Sequence, residues 1–181
     1  MECCSKCGSS QLTSDALLSG SSTRKTRAGI FLVLALTALI IGAYYYGLGS
    51  LSASSLVIQT QTISERYQMN PSGFAEVDVT VKVMGSGPYD LNLSRVTFGL
   101  TLDNTTFPSV QASGSTFSAA QSLSYTLRFI GNNSEDTYFS QEANQTITVS
   151  ITAWVTSGMY SGWITASDSR IWTFQFYYTG Q

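Results

Sequence analysis

Glu76-Val77-Asp78-Val79-Thr80-Val81-Lys82-Val83 places valine at every second position, with a charged residue or threonine between. Successive side chains of a strand point to opposite faces, so this stretch predicts a strand with one buried and one wet face. The same alternation recurs in Val96, Phe98, Leu100 and Leu102, in Leu123, Tyr125, Leu127 and Phe129, and in Ile147, Val149, Ile151, Ala153 and Val155. A last run, Ile171 to Tyr178, is aromatic on both faces and predicts a central or doubly covered strand, and an earlier strand is expected near Leu56 to Gln68. Turn-forming clusters separate the runs: Asn70-Pro71-Ser72-Gly73, Gly85-Ser86-Gly87-Pro88, Asp103-Asn104, Gly131-Asn132-Asn133 and Ser157-Gly158. Several strands without an amphipathic helix between them predict an all-β domain. The expected form is two packed antiparallel sheets, an immunoglobulin- or fibronectin-like β-sandwich of about seven or eight strands, with a barrel as the alternative.

Upstream of this domain the pattern changes. From Ala28 to Leu48 the chain reads AGIFLVLALTALIIGAYYYGL, 21 residues without a charge. At ~1.5 Å per helical residue this length matches a hydrocarbon core of ~30 Å, and it predicts a transmembrane helix. Arg24, Lys25 and Arg27 flank its N-terminal end, and the next charge is Glu65. The positive-inside bias therefore predicts Met1 in the cytoplasm and Gln181 outside it, in the cell membrane as a single-pass protein. Tyr44, Tyr45 and Tyr46 stand where an outer aromatic belt is expected. The chain thus divides into a cytoplasmic tail over 1–27, a span over 28–48 and an extracytoplasmic domain over 49–181. Two processed forms compete with the retained anchor. A signal-peptide reading would cut after Ser52, although its apolar region exceeds the usual ~7–15 residues. A pilin-like reading would cut after Gly29 and use the helix from Ile30 for packing; Arg27-Ala28-Gly29 before an apolar run resembles a prepilin leader, with Leu34 where the fifth mature position commonly holds glutamate.

Composition removes several function classes. Charged residues are 11% of the 181, against ~25% in typical domains, and polarity is carried mostly by Ser, Thr, Asn and Gly. The formal net charge is −2, and no basic face for nucleic acid is expected. The chain has no histidine, which excludes histidine-dependent triads and histidine metal sites. All three cysteines, Cys3, Cys4 and Cys7, precede the span, so the outer domain has no disulfide of its own and depends on its core.

From Val79 to Ile130 the stretch VTVKVMGSGPYDLNLSRVTFGLTLDN, followed by FSAAQSLSYTLRF, resembles the type 2 late-embryogenesis-abundant, or water-stress-and-hypersensitive-response (WHy), domain. Val79, Val81 and Val83 match that family's first alternating strand, Tyr89, Leu91 and Leu93 the next, and Val96, Phe98 and Leu100 the third. Gly87-Pro88 stands where Asn-Pro is usual. The resemblance implies a β-sandwich, often tethered by one N-terminal helix and without enzymatic activity, and it brings no catalytic residues.

Candidate sites are few. Asn-x-Ser/Thr sequons occur at Asn92, Asn104, Asn132 and Asn144, all on the side expected to be external, and they predict a glycoprotein. Cys4-x-x-Cys7-Gly8 has the form of one zinc knuckle, half of a four-ligand site. No resident cofactor is expected, and zinc would require its other ligands from another chain or another protein, as when two tails each supply Cys4 and Cys7. Ser9 to Thr26 reads as a flexible linker. Asp90, Asp103, Glu135, Asp136, Glu142 and Asp168 match no recognisable metal loop or carboxylate pair, and no enzyme is expected. Trp154, Trp163 and Trp172 are candidates for either a binding face or ordinary strand packing. The expected function is a membrane-anchored, non-catalytic extracytoplasmic module at the cell surface. Its partners are the bilayer and either a second copy or an envelope protein or glycan. The alternatives are the pilin-like subunit and a signalling adaptor with a metal-binding tail.

Overall fold

A computed structural model of the protein describes residues 19–65, 74–119, 121–134 and 144–173. One helix, α1 (Ser19–Ser54), precedes β1 (Val57–Glu65), β2 (Phe74–Met84), β3 (Leu91–Leu102), β4 (Thr105–Thr106), β5 (Val110–Ala112), β6 (Ser115–Phe117), β7 (Ser122–Ser134), β8 (Asn144–Ser157) and β9 (Tyr160–Thr173). The chain forms two compact units, residues 1–42 and 43–181.

In the first unit, residues 27–41 are exposed on every side of the helix. From Arg27 to Ser54 the helix is long and apolar enough to cross a membrane, by length and composition. Helix also covers Ser19 to Thr26, where a flexible linker was expected, and continues past Leu48 to Ser54. The physical reason is cooperativity: nucleation is costly, whereas each residue added to an existing helix gains a hydrogen bond, so a stable apolar segment extends into modest helix formers at both ends.

The second unit is a β-sandwich, as the alternation predicts. One antiparallel sheet has the order β1-β2-β7 and the other the order β4-β3-β8-β9, with β5 and β6 also paired to β3. The pieces β4, β5 and β6 continue one return path: Leu102 faces Thr105, Phe98 faces Val110, and Leu91 faces Phe117. They act as a single edge strand interrupted near Pro108, which has no N–H to offer a ladder, and near Gly114, where a Cβ would collide with the Leu93 carbonyl oxygen. Interruptions of this kind protect an edge from pairing with other chains.

The core fills the space between the sheets. Val77, Val79, Val81 and Val83 of β2 and Val149, Ile151, Ala153 and Val155 of β8 are fully buried. Phe98 tilts against Tyr125 with ring centroids 5.1 Å apart, and Phe107 meets Phe129 edge-on at 6.5 Å. Two β-bulges adjust the phase. In β3 the register shifts between Ser94 and Thr97, with Arg95 at φ 51°, so that Leu93 and Val96 both face inward although they are three residues apart. In β1 the shift falls between Thr60 and Thr62 and brings Thr60 and Ile63 to the same side.

Three expectations need correction. Gly131-Asn132-Asn133, read as a turn, lies within β7. The segment beginning at Ile171 is the end of β9, whose only ladder partner among the described strands is β8, so it is an edge rather than a central strand. Its start at Tyr160 was hidden because Trp163 stands on the outer side while Gly162, Asp168 and Arg170 stand on the inner one, so no apolar alternation runs through it; residues 174–178 lie outside the described residues. Finally, Tyr89-Leu91-Leu93 and Val96-Phe98-Leu100 are not two strands: Leu91 to Leu102 is one, bent at the Arg95 bulge, and Tyr89 lies just before it.

Candidate functional surface

The end of α1 is built into the sandwich. Ser52 and Ala53 are fully buried. The Ser52 hydroxyl donates to the Leu48 carbonyl at 3.1 Å and accepts from the Tyr89 N–H at 3.4 Å. One turn on, the Ser55 hydroxyl accepts from the Ser86 N–H at 2.8 Å and donates to the Ser86 carbonyl. Gly87, at φ 148°, lies so close that a Cβ there would overlap Ser52, and a Cβ on Gly49 would overlap the Ser157 carbonyl oxygen. The Tyr46 ring lies 5.5 Å from Tyr160. Small residues at 49, 52 and 53 thus let the helix backbone approach the 85–89 loop and the β8–β9 turn closely.

Opposite edges of the two sheets are closed differently. Along one side β1 lies against β9, and Asp168 of β9 accepts the Thr60 N–H at 2.7 Å and pairs with Arg170 at 2.9 Å. Burial acts to raise the Asp168 pKa, but the Thr60 hydrogen bond and the Arg170 charge together outweigh it and hold the carboxyl below the usual carboxylate range. Along the other side β5 approaches β7, and the Tyr125 hydroxyl donates to the Ser113 carbonyl at 3.3 Å. Burial pushes the Tyr125 phenol up from its ordinary value.

The two outer faces differ in chemistry. On the β1-β2-β7 sheet they include Glu76, Asp78, Lys82 and Arg128, with Asp78 and Arg128 paired at 3.1 Å. On the other sheet, β8 presents Thr146, Thr148, Ser150, Thr152, Trp154 and Thr156, and β9 presents Ser161, Trp163, Thr165, Ser167 and Ser169 opposite them. Cross-strand hydroxyls meet at 2.6 Å between Thr148 and Ser169 and at 3.2 Å between Thr152 and Thr165. Trp154 and Trp163 face one another edge-on, centroids 5.6 Å apart at 81°, and Trp163 is 53% exposed. Trp172, by contrast, is half-buried and packs against the core. Apart from Arg95 at the bulge, the outward positions of this face carry no ionisable side chain among the described residues.

All four sequon asparagines are exposed. Asn92 lies on β3 on the neutral face, Asn104 follows Asp103 in the turn after β3, Asn132 lies near the end of β7, and Asn144 opens β8, where its side-chain oxygen accepts from the Thr173 hydroxyl at 2.7 Å. Cys4 and Cys7 lie outside the described residues, as do Glu135, Asp136 and Glu142. Asp103 is used locally, its carboxylate accepting the Thr146 N–H at 2.8 Å. Among the described residues no three metal-ligating side chains of the His, Cys, Asp and Glu types converge. Sequence reasoning missed the interrupted edge strand, the helix joint and the role of Asp168. The clustering of small residues at Gly47, Gly49, Ser50 and Ser52 was the available signal for the joint.

These features define an all-β sandwich joined to one apolar helix. No family model matches the chain, and no curated protein matches it. Among solved structures it is similar to a protein from Archaeoglobus fulgidus, at 13% identity and a TM-score of 0.40 over 65% of this chain and 99% of that one. It is also similar to Spo0M, a sporulation control protein from Bacillus subtilis, at 15% identity and a TM-score of 0.41. That match covers 66% of this chain and spans 49% of the length of Spo0M.

Proposed function

We propose that the chain is a single-pass, non-catalytic membrane module whose N-terminal tail is cytoplasmic and whose sandwich lies outside, where it makes protein, glycan or envelope contacts. The carrying observation is the helix: Ile30, Phe31, Leu32, Val33, Leu34, Leu36, Leu39, Ile40 and Ile41 are all exposed, each at least half. An apolar stretch without a polar face needs a solvent other than water. The flanking Arg24, Lys25 and Arg27 support the direction, and the buried seat of Ser52 supports a helix kept with its domain rather than cut after that residue. The resemblance to WHy domains supports a binding or structural rather than catalytic role.

A second reading, the pilin-like subunit cut after Gly29, is favoured by the exposed apolar surface of residues 30–41, which suits the packed core of a filament as well as a bilayer. Intact mass of the protein extracted from its own membrane, before and after deglycosylation, separates the two. A chain starting at Met1 with glycan increments supports the anchored module; a chain starting at Ile30 overturns it in favour of the filament subunit.

A further inference from the structure

Asn92 shares a corner of the neutral face with the tryptophan pair. It opens the sequon Asn92-Leu93-Ser94, is exposed, and stands opposite Thr156, while Ser94 stands opposite Trp154. Asn92 and Trp154 are therefore diagonal neighbours on one face, a relation that places side chains about 7–8 Å apart and within reach of a large group. Trp163 meets this indole edge-on at 5.6 Å, and the Ser94 hydroxyl ties the Trp154 backbone by donating to its carbonyl at 3.3 Å. Around the pair stand Thr152, Thr156, Ser161 and Thr165, all neutral hydroxyls.

A pyranose ring carries C–H groups on one face and hydroxyls at its rim. The C–H face gains dispersion and electrostatic attraction from the electron-rich face of an indole, while surrounding hydroxyls can exchange hydrogen bonds with the rim. We propose that Asn92 is glycosylated and that the first sugars of its glycan lie on the Trp154–Trp163 pair, so that the chain's own carbohydrate covers this aromatic cluster. The other three sequons lack this neighbour: Asn104 is in a turn, Asn132 is on the opposite sheet, and Asn144 stands across from Thr173 at the far end of β8. This inference rests on the reading that the sandwich is external, where glycosylation takes place.

The test uses the full chain from a glycosylating membrane, with glycopeptide mapping of the four sequons and thermal melts of four proteins: wild type, Asn92→Gln, Trp154→Thr and the double variant. Asn92 is expected to be occupied. Loss of its glycan is expected to lower Tm by about 3 °C in wild type, from the size of one aromatic contact in a domain of this length, and by much less in the Trp154→Thr background. Deglycosylation of wild type and Trp154→Thr by an amidase, which leaves aspartate at each released site in both, gives the same comparison without a substitution at position 92, and tryptophan emission should move more in wild type. Equal Tm losses in both backgrounds overturn the contact. Absence of glycan at Asn92, whether or not Asn104, Asn132 or Asn144 carry one, overturns this inference alone; the external placement on which it rests fails separately, if Ser167→Cys takes no label from a membrane-impermeant maleimide on intact cells.

Discussion

Asp168 shows how one side chain closes a sandwich. It points inward from an edge strand, a position where an unpaired carboxylate would be costly, and it is satisfied by the Thr60 N–H at the β1 bulge and by Arg170. Thr60 borders the β1 bulge and turns its N–H to this carboxylate, and an inward charge on an edge strand also discourages edge-to-edge pairing. Replacing Asp168 with alanine leaves the N–H without its acceptor and should cost about 1–3 kcal/mol in urea unfolding. The pH dependence has a definite sign. Because the folded pKa is lowered from 3.8, the stabilisation is fully present above that value and is lost as pH falls through the lower folded one. The gap in stability between wild type and Asp168→Ala should therefore be constant from neutral pH down to about 4 and shrink below it. A gap that is unchanged at pH 2 would show that the carboxylate contributes nothing through its charge. The contact with Thr60 was not legible in the sequence, where Asp168 is one acid among several and Thr60 lies 108 residues away.

Elements were legible wherever one period ran unbroken. Val77 to Val83 and Ile147 to Val155 each keep strict alternation over a full strand, because each faces a core on one side and water on the other. Legibility failed where the phase slips or the side chains are small. The Arg95 bulge splits the stripe of β3 into two apparent strands, and Pro108 and Gly114 cut the return strand into pieces too short to carry a period. The joint between α1 and the sandwich was equally hidden, since glycine and serine signal a turn as readily as a close helix contact. Its sensitivity is open to test. Gly49→Val places a side chain on the Ser157 carbonyl and Tyr160, so it should destabilise the sandwich by about 1–3 kcal/mol, as overpacking does. Gly47→Val, two residues earlier with open space around it, is the control and should cost less than half as much in the same melts, because valine is no worse a helix former than glycine.

At the scale of the whole molecule, the sequence separates an uncharged apolar helical stretch from a sandwich with two unlike outer faces. One face is neutral and rich in hydroxyls, and the other carries Glu76, Asp78, Lys82 and Arg128. The fold class follows from that division and from the strand period, whereas the partner does not, because a flat, neutral face of Ser, Thr and Trp suits several kinds of contact. The four sequons follow the same logic: they were legible as motifs, and only the fold shows that Asn92 has an indole beside it while the others do not.

The proposed direction of the helix is directly measurable, because Cys3, Cys4 and Cys7 are the only thiols in the chain and all precede the apolar helical stretch. Intact cells would be treated with a membrane-impermeant maleimide, for wild type and for Ser167→Cys, which adds a thiol on the exposed face of β9. A cytoplasmic tail and an external sandwich give label on Ser167→Cys only, and label on wild type once the membrane is permeabilised. Label on wild type in intact cells would contradict the cytoplasmic tail, and a wild-type chain that stays unlabelled after permeabilisation would mean that the tail had been removed.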